Sequence, residues 1–71
     1  MTLKDVSNVI STSVHIIICQ RIEYDNVPLY MKSNVLSADE FNGLVKKSDR
    51  LAYMIVDNIF TIDNNLYIRI Y

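Results

Sequence analysis

The chain has 71 residues, a formal net charge of −1 and both charge signs interspersed, which allows a single domain over residues 1–71 with a small core. The balance of 7 Lys and Arg against 8 Asp and Glu excludes both the basic surface of a dedicated nucleic-acid binder and the dense acidic surface of a nucleic-acid mimic. One Cys and one His exclude an internal disulfide framework and a structural zinc site.

The first predicted element is a short helix. Thr2 followed by Asp5 resembles an N-cap with an acid in the first turn, and Leu3, Val6, Val9 and Ile10 supply an apolar stripe of about two turns. Ser11-Thr12-Ser13 breaks it. Val14 to Ile22 is the strongest strand, with three consecutive isoleucines. Val14, Ile16, Ile18 and Ile22 share one face, and His15, Ile17, Cys19 and Arg21 share the other. Apolar residues on both faces indicate a central strand, or an outer face covered by a partner. Tyr24-Asp25-Asn26 reads as a turn, and Val27 to Lys32 returns as a second strand. Pro28 lacks an N–H, which places that strand at an edge.

Ser37-Ala38-Asp39-Glu40 is a capping box that opens a second helix. Phe41, Leu44 and Val45 form its expected buried stripe, and Lys46 and Lys47 lie where the helix dipole favours cations. Gly43 inside it costs roughly 1 kcal/mol relative to Ala. Met54 to Ile62 is a third strand, either bulged near Asp57-Asn58 or split there into two. Asp63-Asn64-Asn65 is a hairpin turn, and Leu66 to Tyr71 is the last strand, expected to be sheet and not tail. Leu66, Ile68 and Ile70 face one way; Tyr67, Arg69 and Tyr71 face the other. The order is α-β-β-α-β-β. The expected fold is α+β: a four-stranded, largely antiparallel sheet with two short helices on one face, covering Val14, Ile16, Ile18, Leu66, Ile68 and Ile70.

No catalytic, cofactor or metal site is expected. His15 and Cys19 share a strand face but stand ~13 Å apart along it, too far for a nucleophile pair. Asp39 and Glu40 are explained by the capping box. Asp63-Asn64-Asn65 lacks the glycine and terminal glutamate of a calcium loop, and a single glycine, Gly43, builds no phosphate cradle. The expected function is non-enzymatic binding, through an interface of Ile17, Tyr30, Tyr67, Arg69 and Tyr71, because Tyr and Arg are enriched at binding hot spots. The alternative is a small-ligand or single-stranded nucleic-acid binder that uses a tyrosine-lined sheet face for stacking.

A hydrophobic fraction of 51% and a mean hydropathy of +0.15 are high for so small a chain. With no disulfide or metal to staple the fold, self-association is the remaining means, and a homodimer is expected, with Ile17 among the residues buried between subunits. No apolar run approaches the ~20 residues of a membrane span. The first ten residues carry Lys4 and Asp5 and lack a signal-peptide core, so the expected compartment is the cytoplasm. The abundance of Ile, Asn, Tyr and Lys fits an A+T-rich genome.

The opening Leu3-Lys4-Asp5-Val6, the hairpin and second helix, and the closing Asn64-Asn65-Leu66-Tyr67-Ile68 together resemble small, mostly uncharacterised α+β proteins of low-GC Gram-positive bacteria and their phages. The likeness spans most of the chain as a pattern and carries no catalytic residue. It implies a compact protein of phage or mobile-element type, acting in the host cytoplasm by binding and blocking one host protein, possible targets including CRISPR and other defence components.

Overall fold

Two hydroxyls start the two principal helices. In the computed structural model, which describes residues 1–71, Thr2 caps α1 (Leu3–Ser7) and Ser37 caps α2 (Ala38–Lys47). Each hydroxyl accepts from the amide three residues on, Asp5 N at 3.3 Å and Glu40 N at 3.1 Å. Each acid accepts in return from the cap amide, at 2.9 Å and 3.1 Å. Both boxes therefore satisfy helix N–H groups that would otherwise lack partners. α1 is shorter than its apolar stripe suggests: Val9 lies beyond it and is exposed. A five-residue helix has no stability of its own. It is held by burial of Leu3 and Val6 and by the Leu3 amide, which donates to the Met54 carbonyl at 3.1 Å.

A third helix, α3 (Asp49–Ala52), was not expected. Ser48 is the cause. It ends α2 with an extended backbone (φ −129°, ψ 107°), and its hydroxyl caps the next turn by accepting from Leu51 N at 3.2 Å. The turn places Ala52 in the core.

The strands are β1 (His15–Tyr24), β2 (Val27–Lys32), β3 (Leu36–Ser37), β4 (Val56–Ile62) and β5 (Asn65–Ile70). Two tight hairpins, β1–β2 and β4–β5, turn on Asp25-Asn26 and Asp63-Asn64. All four residues have positive φ, from 50° to 66°, as a type I′ turn requires at both central positions and as Asp and Asn tolerate. β4 is one strand, not two: its register with β5 shifts between Val56 and Asn58, so Asp57 forms a bulge.

The expected four-stranded, largely antiparallel sheet requires correction. The sheet is mixed and has five strands, in the order β2-β1-β5-β4, with β3 beside the start of β1. β1 and β5 lie parallel at its centre, from His15 against Asn65 to Gln20 against Ile70. Side-chain alternation encodes which face a residue takes, not which strand lies alongside. Two hairpins can be joined through either strand of each. Here Pro28 and Lys32 suit β2 to an edge and the bulge suits β4 to the other. β3 is a two-residue bridge. Ser33 fills the gap between β2 and β3, its amide donating to the Ile18 carbonyl (2.8 Å) and its hydroxyl accepting from the Ile18 amide (2.9 Å).

The helices lie on one face of the sheet. Leu3, Val6, Phe41, Val45 and Ala52 close over Ile16, Ile68 and Ile70, with Val14, Ile18 and Leu66 packed around them. These are the six residues expected under the helices, although Val14 lies just before β1. Leu44 departs from expectation. It is 42% exposed, because the buried stripe of α2 runs through Ala38, Phe41 and Val45. No helix is long and apolar enough to cross a membrane.

Candidate protein-binding face

The opposite face of the sheet carries no helix. Alternation along β1 sends Ile17, Cys19 and Arg21 to it, and the strand register sets their neighbours. On β5, Tyr67 stands beside Ile17 and Arg69 beside Cys19; on β2, Lys32 stands beside Cys19 and Tyr30 beside Arg21. On β4, Phe60 stands beside Tyr67. This face has a small core of its own. Ile17 and Cys19 are only 7% and 4% exposed although no second layer covers them, so the long side chains of the flanking strands must shield them.

Those side chains are locked to one another. The rings of Phe60 and Tyr67 stack at 5.3 Å between centroids and 7° between planes. Lys32 Nζ lies 5.7 Å from the Tyr67 centroid, and the Arg69 guanidinium lies 5.3 Å from that of Tyr30. Arg69 Nε also donates to Asp57 Oδ2 at 2.8 Å, and the Tyr71 hydroxyl donates to Asp57 Oδ1 at 3.2 Å. The bulge explains the last two contacts. Regular alternation from Phe60 would turn Asp57 toward the helices; the extra residue swings its carboxylate to the open face, between Arg69 and Tyr71. A depression of about 260 Å³ lies among Tyr30, Phe60, Ile62 and Tyr67, with Cys19, Lys32 and Arg69 also lining it.

The charges on this face are largely matched within it. Arg69 is paired with Asp57 and Arg21 Nη2 lies 3.6 Å from Glu23 Oε1, leaving Lys32 as the cation without an acidic partner. The structure thus gathers all five expected interface residues, Ile17, Tyr30, Tyr67, Arg69 and Tyr71, on one side. It changes the work of two. Ile17 is buried inside a single chain and offers almost no surface to a partner. Arg69 is not a free cation but the clamp between Tyr30 and Asp57.

Phe60 and Asp57 are the residues that the sequence analysis overlooked. Phe60 was within reach of it. A two-residue turn at Asp63-Asn64 pairs Ile62 with Asn65 and therefore Phe60 with Tyr67. Asp57 was not, since its position depends on where the bulge falls. His15 is exposed at the start of β1 and Cys19 is buried four residues on. No group of three His, Cys, Asp or Glu side chains converges closely enough to hold a metal ion.

Among known proteins, no family model, no curated protein and no solved structure matches the chain. Function is therefore inferred from the chemistry of the face itself.

Proposed function

We propose that this chain is a non-enzymatic protein-binding module whose working surface is the bare aromatic face of the sheet, centred on Tyr30, Phe60 and Tyr67. The observation that carries this is the locked set of contacts: stacked rings, two cations over rings and a bulged aspartate tying Arg69 and Tyr71 together. A partner meets aromatic area whose rotamers are already restricted, so less entropy is lost on binding. Tyrosine and arginine in such a patch are hot-spot residue types.

Two other roles fit less well. A small-ligand site calls for a larger cleft with converging polar groups, whereas this depression holds about 260 Å³ and only Lys32 and Arg69 bring charge to it. A single-stranded nucleic acid could stack on Phe60 and Tyr67, but phosphate tracking needs free cations, and Arg21 and Arg69 are already paired. In keeping with the phage-like resemblance, the partner we propose is a host protein, with defence components such as CRISPR effectors the first to test, and the site of action is the host cytoplasm.

The test is a pull-down from lysates of low-GC Gram-positive bacteria with the unaltered chain, followed by calorimetric titration of the captured protein. Phe60→Ala with Tyr67→Ala is expected to weaken binding by roughly thirtyfold or more, the cost of about 2 kcal/mol for truncating a hot spot. His15→Ala, outside this face's contacts, is expected to bind as the unaltered chain does. Loss of activity with His15→Ala while binding persists would overturn the non-enzymatic role, and saturable binding of oligo(dT) abolished by Tyr67→Ala would favour nucleic acid.

A further inference from the structure

The β1–β2 hairpin runs past the body of the protein. β1 loses its β5 neighbour after Gln20, so Arg21–Tyr24 and Val27–Tyr30 continue as a two-stranded ribbon, with Met31 and Lys32 at its base. Every residue from Ile22 to Val35 is exposed, including all six of β2. Alternation puts Ile22 and its cross-strand partner Leu29 on the helix side of the sheet, together with Met31. They are 37%, 45% and 63% exposed. Two-stranded ribbons are marginal in water without something on their apolar face, and no helix of this chain reaches so far.

Beside the base of the ribbon, on the same side, the helices leave a groove of about 460 Å³. Its walls include Met31 at the base of the ribbon and Leu36, Leu44, Leu51 and Met54 across from it. Ridge and groove are therefore parts of one continuous apolar patch that shares Met31. A surface that carries both a projecting and a receiving part is what a two-fold symmetric contact needs, since each copy presents the same patch to the other.

The charges at the two ends agree with this pairing. The ribbon tip carries Glu23 and Asp25, and Asp25 is in no ion pair. Lys47 and Arg50 stand in depressions that adjoin the groove, sharing Leu36 and Leu44 in one case and Gln20, Leu51 and Met54 in the other. Neither of these cations has an acidic partner within the chain. Glu40 lines the Lys47 depression too, but its carboxylate is held at the α2 cap, accepting from the Ser37 amide at 3.1 Å. An apolar ridge with an acidic tip thus meets an apolar groove whose rim carries the unpaired Lys47 and Arg50.

We infer that the chain forms a two-fold homodimer in which the β1–β2 ribbon of each copy lies in the groove beside Leu36, Leu44 and Met54 of the other, with the Asp25 end of the ribbon against Lys47 and Arg50. The contact uses the helix side of the ribbon and leaves the aromatic face free in both copies. It does not depend on what that face binds.

Sedimentation equilibrium of the unaltered chain across micromolar concentrations tests this. The expected mass is twice the 8.2 kDa of one chain. Leu29→Asp is expected to return the single-chain mass with its circular dichroism unchanged, since Leu29 is already exposed in the single chain. Lys47→Glu with Arg50→Glu is expected to weaken association, and adding Asp25→Asn, which removes the charge but keeps a residue suited to the positive φ of the turn, is expected to restore part of it. These charge variants keep the proposal testable even if Leu29→Asp disturbs the ribbon. A single-chain mass for the unaltered protein at roughly 100 micromolar, which would place the dissociation constant far above the micromolar range, would overturn the inference. So would a Leu29→Asp chain that stays dimeric and folded, or dissociation caused by Tyr67→Ala and not by Leu29→Asp.

Discussion

Arg69 shows how one side chain can carry a face. Its guanidinium lies over Tyr30 while its Nε bonds Asp57, so it joins β5 to both outer strands, β2 and β4. The expectation of an outward Tyr67-Arg69-Tyr71 patch was legible because strict alternation fixes faces. The pairing of Arg69 was not, because it depends on strand neighbours and on a bulge. Alternation also places Ile68 in the helix-covered core, fully buried, with Tyr71 at the margin, 56% exposed. Ile68→Ala should therefore cost about 2–5 kcal/mol through lost burial and the cavity left behind. Tyr71→Ala should cost much less, chiefly its exposed bond to Asp57. Urea denaturation of the two variants checks this, and equal losses would contradict the assignment of faces.

Asp5 gives a second test at this scale. The Thr2 amide, then the Thr2 hydroxyl, hold its carboxyl below the ordinary aspartate range. A carboxyl whose pKa is lower folded than unfolded adds stability above its unfolded value, and that contribution is lost as pH falls through the folded one. The α1 cap should thus be intact at neutral pH and weaken only in acid. A carboxyl chemical-shift titration of Asp5 should show a midpoint below that of an unstructured aspartate. Thr2→Ala keeps the amide and removes the hydroxyl, so it should move the midpoint part of the way upward, and an unmoved midpoint would mean that the hydroxyl does not bond Asp5.

At the scale of elements, local chemistry carried most of the information. Two Ser/Thr-x-x-acid boxes and two Asp-Asn turns mark helix starts and hairpins within a few residues, because caps and type I′ turns are satisfied by the residues that form them. What escaped was non-local or very short. α3 is one turn created by Ser48, and β3 pairs only because Ser33 carries the edge past β2. The parallel contact of β1 with β5 spans the whole chain and leaves no local trace. Gly43 offers a direct test of α2. Nothing lies within 4 Å of where its Cβ would sit. Gly43→Ala should therefore raise stability by about 0.5–1 kcal/mol through helix propensity alone. A loss in thermal denaturation would show that the space is filled in solution.

Taken whole, the molecule is a thin sheet with one face covered by helices except along the β1–β2 ribbon and the other held together by its own side chains. Only 11 of 71 residues are buried, which accounts for a core of eight residues and a stability expected near the low end for domains, on the order of 5 kcal/mol. The high apolar content legible in the sequence is accounted for in two places. One is the aromatic face. The other is the ribbon and groove on the far side, which no pattern along the chain could locate, since they arise where β1 outruns β5 and the helices stop short of β2.

The claim that the aromatic face binds a protein is tested most directly by amide chemical-shift mapping of the labelled chain during titration with its captured partner. The largest changes are expected in Ile17–Arg21, Tyr30–Lys32, Asp57–Ile62 and Tyr67–Tyr71, with α1, α2 and α3 little affected. Changes concentrated on the helices, with the Phe60 and Tyr67 amides unmoved at saturation, would contradict it.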